Sequence, residues 1–379
     1  MNRSGQYITQ LTGYKAFIPT PLPPQNLVID AEMQNNLEQA TNLLAQLDNL
    51  GLALPNTDLF IAMFVKKEAL FSSQIEGTQA SLEDLFEFER GQTLDNINDV
   101  EEVVNYIKAL NAGLQRLEDI PMSLRLIKEL HATLLTGVRG AEKTPGEFRR
   151  SQNWIGPANS TLKNAVFVPP PPDQALKALG DLELYLHKKS SLPVLIDCAL
   201  MHYQFETIHP FLDGNGRLGR LLITFYLCWK GLLKKPLLYL SYYLKKNRQE
   251  YYDRLMMVRN KGMYEQWLNF FLQGIIETAQ ESIEQIKKIL DLGHEDKQTL
   301  LQAKISSSNA IVLLEKLLYT PVVSVSDVKK LLSVSHQTAA TLVAQFQGLG
   351  ILREVTGKKR GRRFVYDRYM KILTEGTEP

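Results

Sequence analysis

The stretch His209-Pro-Phe-Leu-Asp-Gly-Asn-Gly-Arg-Leu-Gly-Arg220, followed by the apolar run Leu221 to Trp229, decides how the rest of the chain is read. Gly214, Asn215 and Gly216 open backbone conformations closed to most residues. Successive N–H groups can then converge at a helix N-terminus, which is a site for phosphate. Arg217 and Arg220 are three apart and neighbours on one helix face, and guanidinium groups bind phosphate oxygens bidentately. Asp213 beside such a nest would repel phosphate unless a divalent cation lies between them. Magnesium, held by one carboxylate plus substrate phosphates, meets that need. A histidine such as His209 can titrate near neutral pH and could take a proton from an attacking hydroxyl. The parts suit attack on a nucleotide phosphate. Gly214, Gly216 and Gly219 also fit G-x-G-x-x-G, but that fingerprint needs a preceding strand and an acidic residue about 20 positions on. Here no Asp or Glu occurs between Asp213 and Glu250.

Around this segment the pattern is mainly helical. Leu37, Leu43, Leu44 and Leu47, then Ile61, Phe64, Val65 and Ala69, recur at helical spacing. Residues 1–25 read as an irregular arm, because Phe17 to Pro24 is proline-rich. The Gly/Pro/Asn-rich stretch 144–173 predicts a loop with a short hairpin, Trp154–Ile155 against Val166–Val168. Gly293-His-Glu-Asp marks a boundary. Beyond it come a helix near Asn309 to Tyr319, a second capped by Ser326, a third from His336 to Gly348, and two β-like runs around Lys358-Lys-Arg-Gly-Arg-Arg363. Helix-turn-helix then hairpin is a winged-helix grammar. The predicted parts are 1–118, 119–292 and 293–379.

A net charge of +2 demands neither nucleic acid nor membrane as a partner for the whole chain. The longest mostly apolar run falls far short of the roughly 20 residues of a membrane span. The N-terminus MNRSGQYITQ lacks a signal-peptide core. A cytoplasmic protein without membrane contact is expected. Cys198 and Cys228 read as free thiols packed as small hydrophobes. His202 and Glu206 are i, i+4, but zinc needs a third protein ligand, so helix packing is their reading.

His209 to Arg220 resembles, without departure, the signature of the Fic family, H-P-F-x-[DE]-G-N-G-R-x-x-R. Gly146-Glu-Phe-Arg-Arg-Ser-Gln-Asn-Trp-Ile-Gly156 and Phe167-Val-Pro-Pro-Pro-Pro172 are similar to the family's flanks. The resemblance implies a mainly α fold: a helical Fic core with a β-hairpin flap, plus a winged-helix (α+β) module. It implies AMP transfer from ATP to a protein Ser, Thr or Tyr. By position His209 would be the base, Asp213 the Mg²⁺ ligand and Gly214 to Gly216 the anion hole. Asn215, Arg217 and Arg220 would hold phosphates. Doc-type kinases of the family carry lysine in the second glycine region, so Gly216 favours adenylyl transfer. The flap would take the target protein as an added strand. Tyr252 and Asn260 resemble adenine-contacting positions.

Ser72-Ser-Gln-Ile-Glu-Gly77 is similar to the family's inhibitory motif [S/T]-x-x-x-E-[G/N]. Ser72 and Glu76 share a helix face, and Gly77 can end the helix. Glu76 would pair with Arg220 and so exclude productive ATP. A dimer that tightens this brake is compatible with the sequence. The wing offers a different function: a DNA-binding regulator whose Fic core senses nucleotide. Its basic run suits phosphate contact, and Ser335, His336, Gln337, Thr338 and Thr341 could reach base edges, without the Arg or Asn of convincing readout. The acceptor residue, the use of other nucleotides and the removal of AMP stay open.

Overall fold

The computed structural model describes residues 2–53, 57–89, 91, 94–157, 159–357 and 361–375. Strands β1 (Gly5–Thr9) and β2 (Lys15–Pro19) form an antiparallel hairpin. This corrects the irregular arm. The prolines at 19, 21, 23 and 24 lie at and beyond the end of β2, and Gly13, at φ +87°, makes the turn. Phe17 is fully buried and its N–H donates to Val168 O at 2.9 Å, which anchors the hairpin to the flap.

Then come α1 (Ala31–Ala53), α2 (Thr57–Ile75), α3 (Leu82–Glu89), α4 (Ile97–Asp119) and α5 (Leu124–Leu134). The flap region follows; Ile155 and Phe167 exchange both backbone hydrogen bonds, as the predicted hairpin requires. After it run α6 (Pro172–His187), α7 (Val194–Ile208), α8 (Asn215–Trp229), α9 (Ser241–Lys246) and α10 (Arg248–Lys261). Every residue of α7 from Leu195 to Ile208 is buried, and α8 is nearly so. Helices apolar all round belong at the centre of a core. The two pack together, with the His209–Gly214 loop at their junction.

Helix α11 (Tyr264–Gln302) runs 39 residues, about 58 Å at 1.5 Å per residue, without a break. The expected boundary at Gly293 therefore falls inside a helix. Ile289, Leu292, Asp296 and Leu300 continue its buried stripe, and that burial outweighs the roughly 1 kcal/mol penalty of one helical glycine. The module beyond comprises α12 (Ser308–Leu317), β3 (Val322–Val323), α13 (Val325–Leu332), α14 (His336–Gly348), β4 (Arg353–Glu354), β5 (Phe364–Val365) and α15 (Asp367–Thr374). Its sheet order is β3-β5-β4. The cap of α13 is Ser324 rather than Ser326: its hydroxyl accepts from Asp327 N–H, and Asp327 reaches back to the Ser324 N–H in a capping box. The module sits against the tail of α11, where buried Asp296 accepts from the Tyr366 hydroxyl at 2.6 Å and from Arg368 at 3.0 Å. Lys358, Lys359 and Arg360 lie outside the described residues.

Candidate active site

The loop between α7 and α8 carries the signature, and its shape is fixed from several elements. His209 closes α7 in the left-handed region, at φ 49° and ψ 62°. That conformation is unfavourable for a non-glycine residue, and hydrogen bonds to its carbonyl hold it. Arg149 Nε donates to His209 O at 2.9 Å and Asn153 Nδ2 at 3.1 Å. Asn153 also donates to Phe211 O at 2.8 Å. Arg259, from α10, donates to Thr207 Oγ1 and Glu206 O, so a cation sits on the carbonyl end of α7. His131 of α5 stacks on Phe211 with ring centroids 3.7 Å apart. Its Nδ1 accepts from Gly146 N–H at 2.8 Å, so Nε2 carries the proton and donates to Asp213 O at 3.0 Å. Burial lowers the His131 pKa to about 4, which keeps that neutral tautomer.

Gly214, at φ 72°, turns the chain into α8. Leu218 N–H takes Gly214 O at 3.0 Å. The N–H groups of Asn215, Gly216 and Arg217 have no carbonyl ahead of them in the helix. The Asn215 side chain serves the loop: Oδ1 accepts from Phe211 N–H at 2.8 Å and Nδ2 donates to Phe211 O at 2.9 Å. The Asn215 side chain, expected to hold phosphate, is engaged within the loop in this structure, and its main-chain N–H is the group left without a helical acceptor.

The two arginines, expected on one ligand, have separate partners. Arg217 Nη1 donates to buried Glu102 of α4 at 2.9 Å. Arg220 Nε donates to Ser72 Oγ at 2.9 Å, and Nη2 to Ser72 O at 2.8 Å and Glu76 Oε1 at 2.6 Å. Ser72 and Glu76 thus meet Arg220 together. Helix α2 stops at Ile75, and Gly77 takes φ +96°. Glu76 Oε1 lies so close to Gly216 that a Cβ there would stand 2.2 Å from it. A carboxylate therefore occupies the first turn of α8, against the arginine and the glycine nest. Burial raises the Glu76 pKa, but the charge and hydrogen bond of Arg220 together outweigh it, so the carboxyl titrates below its ordinary value.

His209 keeps 18% of its side-chain surface exposed, enough for a hydroxyl to approach. Burial, then the cations Arg259 and Arg149, lower its pKa to about 3, against a smaller upward pull from Glu76. Its Nδ1 is buried 4.0 Å from Glu206 Oε2, so Nε2 is the nitrogen left for chemistry. Burial raises Glu206 to about 7. Among the described residues, nine buried side-chain atoms have no hydrogen-bond partner. Four of them (Asn153 Oδ1, Glu206 Oε1, His209 Nδ1 and Arg217 Nε) surround this loop, as at a site built for a further group.

Asp213 is 38% exposed, accepts from Gly214 N–H at 2.6 Å and lies 3.9 Å from Arg217. No group of three possible metal-ligating side chains occurs among the described residues. One accessible carboxylate fits magnesium shared with substrate phosphates, not a cation caged by protein. His202 bonds Gly219 O and the Tyr251 hydroxyl, both at 2.9 Å, and so packs rather than ligates. Burial first, and then the charge of Glu76, push the Tyr252 hydroxyl up to about 12. Asn260 is exposed and accepts from the Tyr7 hydroxyl at 3.0 Å. Glu102, His131, Arg149, Asn153 and Arg259 were not singled out from sequence. The polar run Arg149 to Asn153 in a mostly helical chain was the one local sign of them.

The profile of the Fic/DOC family N-terminal region matches residues 34–115, that of the Fic/DOC family matches 121–227, and an HTH DNA binding domain profile matches 312–364. The chain belongs to the Fic/DOC family. It is 30% identical over 256 residues to a protein adenylyltransferase Fic of Aedes aegypti, covering 64% of this chain and 46% of that one. A Drosophila willistoni protein of the same name is 32% identical over 219 residues, covering 54% and 40%. The chain thus spans less than half the length of these curated relatives. In fold it is similar to a Fic family protein of Desulfovibrio desulfuricans, with TM-score 0.60, 20% identity, and 89% and 97% of the two chains covered. It is also similar to Fic-1 of C. elegans, with TM-score 0.51, 21% identity, and 68% and 73% covered.

Proposed function

We propose that this chain transfers AMP from ATP to a hydroxyl of a target protein, and that Glu76 holds the reaction in check. The observation that carries this reading is the Glu76 carboxylate on Arg220 and Gly216. An anion already sits where the nest and its arginine would receive one. In the reaction the target hydroxyl attacks the α-phosphorus while His209 Nε2 takes its proton. The bond between the α-phosphorus and the bridging oxygen breaks, and pyrophosphate leaves. The free N–H groups of Asn215 to Arg217 and the guanidinium of Arg220 stabilise the phosphates. Magnesium, when bound, supplies charge neutralisation there, and Asp213 is the residue to hold it. Binding ATP adds negative charge beside His209, which raises its basicity toward a useful range.

The test uses purified Glu76→Gly protein with ATP labelled at either the α- or the γ-phosphate. Label is expected on protein from α-labelled ATP only. Label from the γ-position would make the chain a kinase.

A second reading concerns the C-terminal module, favoured by its match to a DNA-binding profile. His336, Gln337, Thr338 and Thr341 are exposed on α14 without an acidic neighbour on that face. Retardation of a random-sequence duplex that weakens with salt, and weakens further in Lys358→Glu/Arg360→Glu, is the expected result. No retardation at low salt would remove DNA as a partner.

A further inference from the structure

Glu68 and Ser72 of α2, and Glu76 just beyond its end, follow one another at four-residue steps, the spacing of one helix face. Ser72 and Glu76 hold Arg220 directly. Glu68 holds it at a distance. It is 3% exposed, and its three hydrogen-bond donors are neutral. Ser241 Oγ donates to its Oε1 at 2.5 Å, Ser241 N–H to its Oε2 at 3.1 Å, and the Tyr106 hydroxyl to its Oε1 at 3.1 Å. A carboxylate buried among neutral groups is costly to keep ionised. The opposite charge that acts on it through space is that of Arg220.

Donor and acceptor can be assigned at each step between the two charges. A guanidinium only donates, so Ser72 Oγ accepts from Arg220 Nε at 2.9 Å. The Ser72 hydroxyl proton goes to the Tyr106 hydroxyl oxygen. Tyr106 in turn donates to Glu68, where the path ends on an acceptor. Aligned donors of this kind polarise one another in a low dielectric. Tyr106 comes from α4 and Ser241 from the start of α9, so the far end of the path is fixed by three helices. Arg220, Ser72, Tyr106, Glu68 and Ser241 are all buried. The two carboxylates differ in what can move them. Glu76 is 32% exposed and lies past the end of α2, whereas Glu68 is enclosed within the helix packing. An incoming anion can displace the first and not the second.

We infer that Glu68 is the standing counter-ion of Arg220: acting through Tyr106 and Ser72, it keeps the guanidinium oriented for phosphate once Glu76 has left. Glu68 and Tyr106 are then positioning residues for the nucleotide, which they do not touch. The inference rests on the proposed function for ATP as the ligand. Burial pushes the Glu68 pKa up to about 7, against the pull of its donors and of Arg220. At pH 8 the carboxylate is therefore the main form, and the test is set there.

The experiment is a calorimetric titration of the full chain with ATP and magnesium, in a Glu76→Gly/His209→Asn background that lacks both brake and base. Tyr106→Phe deletes the relay hydroxyl and leaves Glu68 its Ser241 bonds; Glu68→Gln removes the charge and keeps the shape. Each is expected to weaken ATP binding about 10-fold. Tyr366→Phe breaks an equally buried tyrosine–carboxylate bond, to Asp296 in the C-terminal module, and is expected to leave ATP affinity unchanged. With Arg220→Ala also present, Tyr106→Phe is expected to have no further effect, because its influence passes through that arginine. A purely structural role would weaken binding in both backgrounds. Unchanged affinity in folded Tyr106→Phe and Glu68→Gln protein, an equal loss from Tyr366→Phe, or a full loss from Tyr106→Phe without Arg220 would each overturn the inference. ATP binding that weakens as expected, together with no label on any protein from Glu76→Gly chain and α-labelled ATP, would instead sink the transfer reading and leave the inference standing.

Discussion

Exchanging Glu76 for glycine is expected to raise incorporation of α-phosphate label about 10²–10³-fold, since a brake of roughly 3–4 kcal/mol leaves under about 1% of molecules open. The size follows from what Glu76 holds. Its carboxylate makes a 2.6 Å charge-assisted bond to a buried guanidinium and covers Gly216. Its removal frees the first turn of α8, while Ser72 still positions Arg220 through Oγ and its carbonyl. Glu76→Gln should give a smaller rise, because an amide can keep a hydrogen bond but not the charge. The pH response follows from the depressed Glu76 pKa. A depressed carboxyl contributes stability above its unfolded pKa and loses it only as pH falls through the lower folded value. The brake is therefore engaged throughout the neutral range, and release belongs to a ligand or partner rather than to mild acid. Unchanged incorporation in folded Glu76→Gly protein would remove the brake from the account.

The second large effect is at His209. In the Glu76→Gly background, His209→Ala is expected to lower label transfer by about 10²–10⁴-fold, the usual range for losing a general base. Nucleotide binding measured by titration should change little, since the phosphate contacts proposed above come from α8. Alanine in the left-handed conformation adds strain, so His209→Asn is the cleaner variant; asparagine tolerates that region. Comparable loss in both would assign the effect to chemistry. Transfer retained by either would move the base elsewhere.

The site was legible where its logic is local. His209 to Arg220 is one continuous turn into a helix, and the four-residue spacing of Ser72 and Glu76 already put both on one face. What could not be read is the scaffold that makes the loop rigid. Arg149 and Asn153 act on His209 O from 60 and 56 residues away, and Glu102 meets Arg217 across 115. Such partners are set by helix packing, which spacing does not encode. The assignment of both arginines to phosphate failed to anticipate Glu102 for the same reason. In the hairpin 5–19, the weight given to prolines masked the β-forming residues before them. At Gly293 a helix-weakening residue was read as a stop, although the buried stripe continues on both sides of it.

That continuity changes what a truncation means. A chain ended after residue 292 would lose more than its C-terminal module. It would also lose the last turns of a helix whose first half supports α7, together with the seat of Asp296 for Tyr366 and Arg368. Conversely, a protease searching for a hinge between the two lobes would meet unbroken helix there. The C-terminal module is mounted on a helix it shares with the rest of the fold, and Arg363 braces it again on Glu87 of α3, so a torque on the module has two routes into the N-terminal helices.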